Sequence, residues 1–277
     1  MHLATSLSRD NIVNGMSFIY FAYNLKIIEE KRRFTWMMVL INILMLIVLG
    51  PVKVIYCVFA LLVIMIPANQ FKSRWDRILK IALIPLCTLV YLLMTEKSSL
   101  NYNLTASSWA GQTDYYHLSF LFEHPFRFAR LILGTMGTNA WDFLNQMIGS
   151  KMAGLNVYIS DYLIVGYMVI LVLSSFDKGE QEKSRAELET KQRWVLFLTV
   201  ILGYALLVSA FAFANTLYGK TSVLGLQGRY LIPFAPLLVF VLNGKGIKIR
   251  LEKKQLWYAV WVIELGCIVD VMSQVVI

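Results

Sequence analysis

Residues 34–66 run for 33 positions with one charged side chain, Lys53. As a single helix this stretch would measure about 50 Å, against a hydrocarbon core of about 30 Å. It is too long to cross a membrane once and too apolar to be solvated. Gly50-Pro51 in its middle supplies a break, because proline cannot continue the helical ladder and glycine eases the turn before it. The expected outcome is a hairpin of two short membrane helices with Lys53 at its tip, snorkelling or facing a cavity.

The rest of the chain agrees with this pattern. The hydrophobic set makes up 58% of 277 residues and charged residues only 16%, outside the soluble range of about 45–50% apolar and 25% charged. Apolar runs fall at 11–28, 34–49, 52–66, 81–94, 157–175, 194–214, 230–242 and 256–276. At about 20 residues per span, these give an all-α, polytopic transmembrane bundle of about eight spans, a single transmembrane domain over 1–277. The run 81–94 is short and is expected to extend into the basic stretch before it. The formal charge of +9 would suggest nucleic acid in a soluble protein. Here its placement speaks for membrane orientation instead. Lys31, Arg32 and Arg33 follow the first run, Lys72, Arg74, Arg77 and Lys80 the third, Lys178 to Arg193 the fifth, and Lys245 to Lys254 the seventh. The positive-inside rule puts these connections in the cytoplasm and both termini, 95–156 and 215–229 outside. Cys57, Cys87 and Cys267 all lie in apolar runs and read as packing residues.

Residues 95–156 form the one sizeable extramembrane segment. Within it 123–148 reads as a helix started at Glu123-His124-Pro125, with proline in its first turn. Phe122, Phe126, Ala129, Leu133 and Met136 form an apolar stripe, with Arg127, Arg130 and Asp142 elsewhere on the wheel. The pattern fits an amphipathic helix on the outer membrane surface, or a loop helix packed on the bundle. Gly134 and Gly137 are candidate bend points.

No P-loop, dinucleotide fingerprint, HExxH or GxSxG is present, which removes ATP-driven pumps and the familiar hydrolases. What remains are polar residues near the membrane. Gln227-Gly228-Arg229-Tyr230 opens the seventh span. An arginine there suits phosphate, because its planar fork binds oxygens in pairs and the helix start adds positive potential. The alternative is an interfacial Arg/Tyr anchor. Arg127 and Arg130 could grip lipid or substrate phosphates, or pair with outer acids. Glu264, deep in the last span, is either functional or paired with a buried base, and Asp270 lies nearer the span's end. Asp10 is the acidic candidate at the outer face, with helix capping as the alternative for it and for Ser8. Asp114, His117, Glu123 and His124 could ligate a divalent ion, but their spacing matches no metal signature. No metal or other cofactor is assigned.

Together these blocks resemble the domain-of-unknown-function 2142 family of bacterial polytopic membrane proteins. The most specific match is Gly225 to Leu237, with its Gln-Gly-Arg-Tyr block followed by Pro233 and Pro236. Ser6 to Asn11 is similar to a Ser/Asp block opening a middle helix, the Lys53–Tyr56 hairpin ends at Pro67, and Gln112 precedes Phe120 to Phe126. The resemblance implies a layout like the glycosyltransferases that use polyprenyl-phosphate sugars in cell-envelope polysaccharide assembly. Arg229, Gln227, Tyr230 and Lys53 would then hold the carrier phosphate, and Asp10 would act as base. Such relatives carry further helices and an outer acidic loop before the Ser/Asp block, so an inactive or truncated form is also expected. Whether the chain is itself an enzyme stays open. The other readings are a transporter or flippase for an anionic lipid or solute, and a non-catalytic subunit. The partners implied are the bilayer and a polyprenyl-phosphate sugar, with no nucleic acid.

Overall fold

The computed structural model describes residues 9–52, 54–95, 116, 118–149, 151–152, 157–176, 188–242 and 253–275. These are almost entirely helical. The elements in chain order are α1 (Arg9–Glu30), α2 (Trp36–Val52), a 3-10 helix (Val54–Met65), α3 (Arg74–Thr95), α4 (Leu118–Glu123) and α5 (Pro125–Ile148). A two-residue antiparallel ribbon follows, β1 (Lys151–Met152) and β2 (Val157–Tyr158), with Lys151 opposite Tyr158. Then come α6 (Asp161–Phe176), α7 (Thr190–Asn215), a second 3-10 helix (Gly228–Phe234), α8 (Ala235–Leu242) and α9 (Lys253–Val275).

Among the described residues three helices are long and apolar enough to cross a membrane: Arg74–Met94, Thr190–Asn215 and Lys254–Gln274. Trp36–Gly50, Val54–Met65, Asp161–Ser174 and Gly228–Leu242 are shorter apolar helices. The extension of the 81–94 run into its basic flank is present, since α3 begins at Arg74. The hairpin break falls slightly later than the Gly50-Pro51 pair, because α2 continues to Val52. A proline in the last turn costs little when almost no helix remains beyond it. Gly50 has a different use there: a Cβ would stand 2.7 Å from Leu92 Cδ2 of α3, so its lack of a side chain sets the α2–α3 approach. The run expected to start a span at 157 begins as strand, and its helix starts at Asp161.

The chain divides into two compact units, Leu3–Ala140 with Leu188–Leu226, and Trp141–Glu187 with Gln227–Ile277. In the first, α1, α2, α3 and α7 all pack on the 3-10 helix Val54–Met65. It is buried around most of its circumference, through Tyr56, Phe59, Leu62 and Val63 among others, as expected of a helix that is apolar on every side. At about 2.0 Å rise per residue, its 12 residues reach about 24 Å, where an α-helix would reach about 18 Å.

Polar side chains close the chain ends of this unit. Gln70 Nε2 donates to the carbonyls of Ile27 (3.1 Å) and Ile28 (3.4 Å) at the end of α1. Gln192 Nε2 donates to Met65 O at 2.8 Å, while its Oε1 accepts the Glu189 N–H in a capping box that starts α7. Lys80, one of the basic residues after the third run, turns inward. Its Nζ donates to Phe34 O at 2.7 Å and to Asp76 Oδ2 at 3.0 Å, and lies 5.3 Å from the Trp36 ring centroid. All three side chains satisfy backbone carbonyls that helix ends or turns leave without partners.

In the second unit α6 packs on α9 through small residues. A Cβ at Gly266 would stand 2.9 Å from Leu163 Cδ2, and one at Gly166 3.0 Å from Ile263 Cδ1. Glycine at such crossings lets helices approach closely where lipid offers no hydrophobic drive to association. Ile159, Leu163 and Ile164 form the buried cluster, with Cys267 and Val271 against it. Asp270 Oδ2 accepts the Ser160 N–H at 2.6 Å, just ahead of α6, which gives that acid a structural role.

Candidate functional site

In the second unit the Gln227-Gly228-Arg229-Tyr230 block stands where an extended strand of chain becomes a helix. Gln227 is extended (φ −115°, ψ 141°) and the 3-10 helix begins at Gly228. The Gly228 N–H donates to Gln146 Oε1 of α5 at 2.6 Å. A Cβ on Gly228 would overlap the Phe143 carbonyl oxygen, so only glycine permits this approach. The Tyr230 N–H returns to Gln227 O at 3.1 Å. Arg229 is thereby placed directly after a backbone locked to α5. It is half-buried, with its guanidinium carbon 5.4 Å from the Tyr230 ring centroid. The expected bonus of helix-start N–H groups is partly spent, since Gly228 already donates to Gln146. The ligand-binding capacity rests on the guanidinium itself.

Glu264 of α9 is half-buried in the same unit, near Tyr167 of α6 and Cys267 of its own helix. The expected pairing with a buried base is not made among the described residues.

In the first unit Asp10 lies in the opening turn of α1 and is buried. Since α1 starts at Arg9, Asp10 is inside the helix rather than its cap, and there its charge suits the helix dipole. α5 begins at Pro125, two residues later than expected, because Glu123 closes the separate helix α4, and it ends at Ile148 as expected. His124 precedes it, its carbonyl accepting the Phe128 N–H at 3.0 Å. Gly134 is a packing position: a Cβ would stand 2.7 Å from the Thr221 carbonyl oxygen. The side facing the protein carries Phe128, Leu131 and Thr135, all buried. Thr135 Oγ1 donates to Leu131 O at 2.7 Å and accepts the Val223 N–H at 3.0 Å. The expected stripe, Phe122, Phe126, Leu133 and Met136, is exposed, Phe126 by 88%. Arg127 and Arg130 are exposed too and form no ion pair among the described residues.

Lys53, Ser6, Ser8, Gln112, Asp114 and His117 lie outside the described residues. Among the described residues no group of three His, Cys, Asp or Glu side chains could hold a metal ion. The motif itself was legible, whereas Gln146, Gln192 and Lys80 carried no sequence signal, because their partners lie 82, 127 and 46 positions away.

The fold and these polar positions define a multi-helix membrane protein. The chain belongs to the family described as "Predicted membrane protein (DUF2142)", whose model matches residues 1–238. No curated protein matches it. No solved structure matches it either.

Proposed function

We propose that the protein recognises the phosphate of a lipid-linked anionic substrate at Arg229. The reading extends to a glycosyltransferase-like protein that works with polyprenyl-phosphate sugars in cell-envelope polysaccharide assembly. The observation that carries it is the placement of Arg229, half-buried and immediately after the Gly228 backbone held by Gln146 and Phe143. A backbone so fixed holds the side chain's origin in place, and the guanidinium's planar fork suits two phosphate oxygens at once. Gln227 and Tyr230 flank it, and Lys53 would add a second charge. The sugar-transfer reading gives Asp10 the part of general base for an acceptor hydroxyl. About eight crossings of the cell membrane, in one transmembrane domain, with the basic connections cytoplasmic, complete the proposal.

The transporter reading draws on Glu264, an acid in an apolar helix with no ion pair among the described residues. One experiment separates the two. The full chain, purified in nanodiscs, is titrated with a polyprenyl-phosphate sugar, alongside Arg229→Ala and Glu264→Gln. Losing a charge-assisted contact worth about 1.5–3 kcal/mol weakens binding by about 10- to 100-fold in Arg229→Ala, with Glu264→Gln unchanged. Equal binding by wild type and Arg229→Ala sinks the phosphate role.

A further inference from the structure

The buried face of α1 sets polar side chains among apolar ones, Val13, Phe21, Ile27 and Ile28. Ser17, Tyr20 and Asn24 follow one another at helical spacing and are exposed by 0%, 0% and 1%, while Ile12, Phe18 and Ile19 face outward. Polar side chains buried on such a face need polar partners. Part of that partner is visible: Asn24 Nδ2 donates to Asn42 Oδ1 of α2 at 3.0 Å and to Tyr20 O at 3.0 Å, and Asn42 Nδ2 donates to Met38 O.

The remainder makes no hydrogen bond of full geometry among the described residues. Ser17 Oγ, the Tyr20 hydroxyl and Asn24 Oδ1 are buried without a hydrogen bond among the described residues. The Asn24 side chain lies beside the Tyr20 hydroxyl without closing a bond of hydrogen-bonding geometry to it. At the far end of the helix Gln70, whose Nε2 caps Ile27 and Ile28, leaves its Oε1 in the same condition. Buried polar groups are nearly always satisfied, and each exception calls for an explanation, bound water or an ion among them. Four orphaned oxygens along one helix would together rival the net stability of a whole domain.

We propose that ordered water fills this seam, bridging Ser17, Tyr20, Asn24 and Gln70 in a file along the inner face of α1. Water fits the donor and acceptor tally. The two hydroxyls need an acceptor for their protons, whereas the two amide oxygens need donors, and water supplies both. A cation would satisfy the oxygens alone, and none of the four residues is an acid. The file covers the stretch from Ser17 to the Ile28 carbonyl, about 16 Å at 1.5 Å per residue. It stands independently of the Arg229 reading.

The test uses the full chain in lipid bilayers, with Asn, Tyr and Thr isotopically labelled. Water-to-protein magnetisation transfer is measured by solid-state NMR. Thr88, buried with its hydroxyl donated to Ile84 O at 2.8 Å, is the dry reference. Transfer to Asn24 and Tyr20 several-fold faster than to Thr88 is the expected result. Transfer no faster than to Thr88 shows a dry seam and overturns the proposal, whatever the variants do. Ser17→Ala and Tyr20→Phe give a second readout. Each removes an anchor from the file, so the melting temperature falls. A rise or no change in both means that the hydroxyls had no partner to lose, which also counts against the file.

Discussion

Gly228 and Gly15 show how differently one residue type can be used. At Gly228 the Phe143 backbone occupies the place of a side chain, whereas at Gly15 nothing lies within 4 Å. Gly228→Ala therefore forces backbone apart and is expected to cost at least the 1–3 kcal/mol of ordinary overpacking. Gly15→Ala adds about 0.8–1 kcal/mol of helix propensity instead. Thermal melts of the two variants should move in opposite directions. Gln192 is a second test at this scale. Gln192→Leu keeps the bulk but strips the Met65 carbonyl and the Glu189 N–H of their partner, a loss of about 1–3 kcal/mol for each buried group left unsatisfied. Unchanged stability in detergent would show that water replaces the amide there. Arg229 was legible as part of a motif. The close approach at the glycine before it was not, since nothing local marks Gln146 or Phe143.

Among the elements, α5 carries its apolar residues on two sides. One side is buried in the first unit, while Phe126 and Leu133 stand exposed beside Arg127 and Arg130. The periodic stripe read from sequence was thus the lipid-facing candidate, and the packed side went unnoticed because Phe128 and Leu131 look like any other apolar positions. An environment-sensitive fluorophore on Phe126→Cys in nanodiscs should report an apolar, blue-shifted surrounding that deepens little with salt. Emission like that of the free dye in water would exclude membrane contact for this face. Doubling the charge reversal, Arg127→Glu with Arg130→Glu, should reduce co-purified anionic lipid while leaving zwitterionic lipid unchanged. At the α6–α9 crossing, Gly266→Leu would drive a side chain into Leu163 and cost about 1–3 kcal/mol. A leucine placed on the exposed side, Val262→Leu, should be silent.

For the whole molecule, composition and charge distribution made the class legible, because bilayer thickness and loop charge act on stretches of chain rather than on single contacts. Orientation makes a prediction at this scale. A cysteine at Tyr218 should react with a membrane-impermeant maleimide on intact cells, and one at Lys72 only after lysis. The reverse pattern would invert the proposed topology. Element boundaries were less legible. The 33-residue run showed that it must break, but the choice of a 3-10 helix for Val54–Met65 depends on four neighbouring helices and is invisible in a uniformly apolar sequence. That choice has a consequence for how this stretch tolerates change. With three residues per turn, side chains three apart stand in columns. Tyr56, Phe59, Leu62 and Met65 form one column that is wholly buried, with the Tyr56 and Phe59 rings stacked 6.2 Å apart. Val58, Leu61 and Ile64 form another that runs from buried to exposed. Inserting one alanine after Ala60 would turn everything beyond it by about 120°, carrying Leu62 and Met65 out of their column although composition and hydropathy barely change.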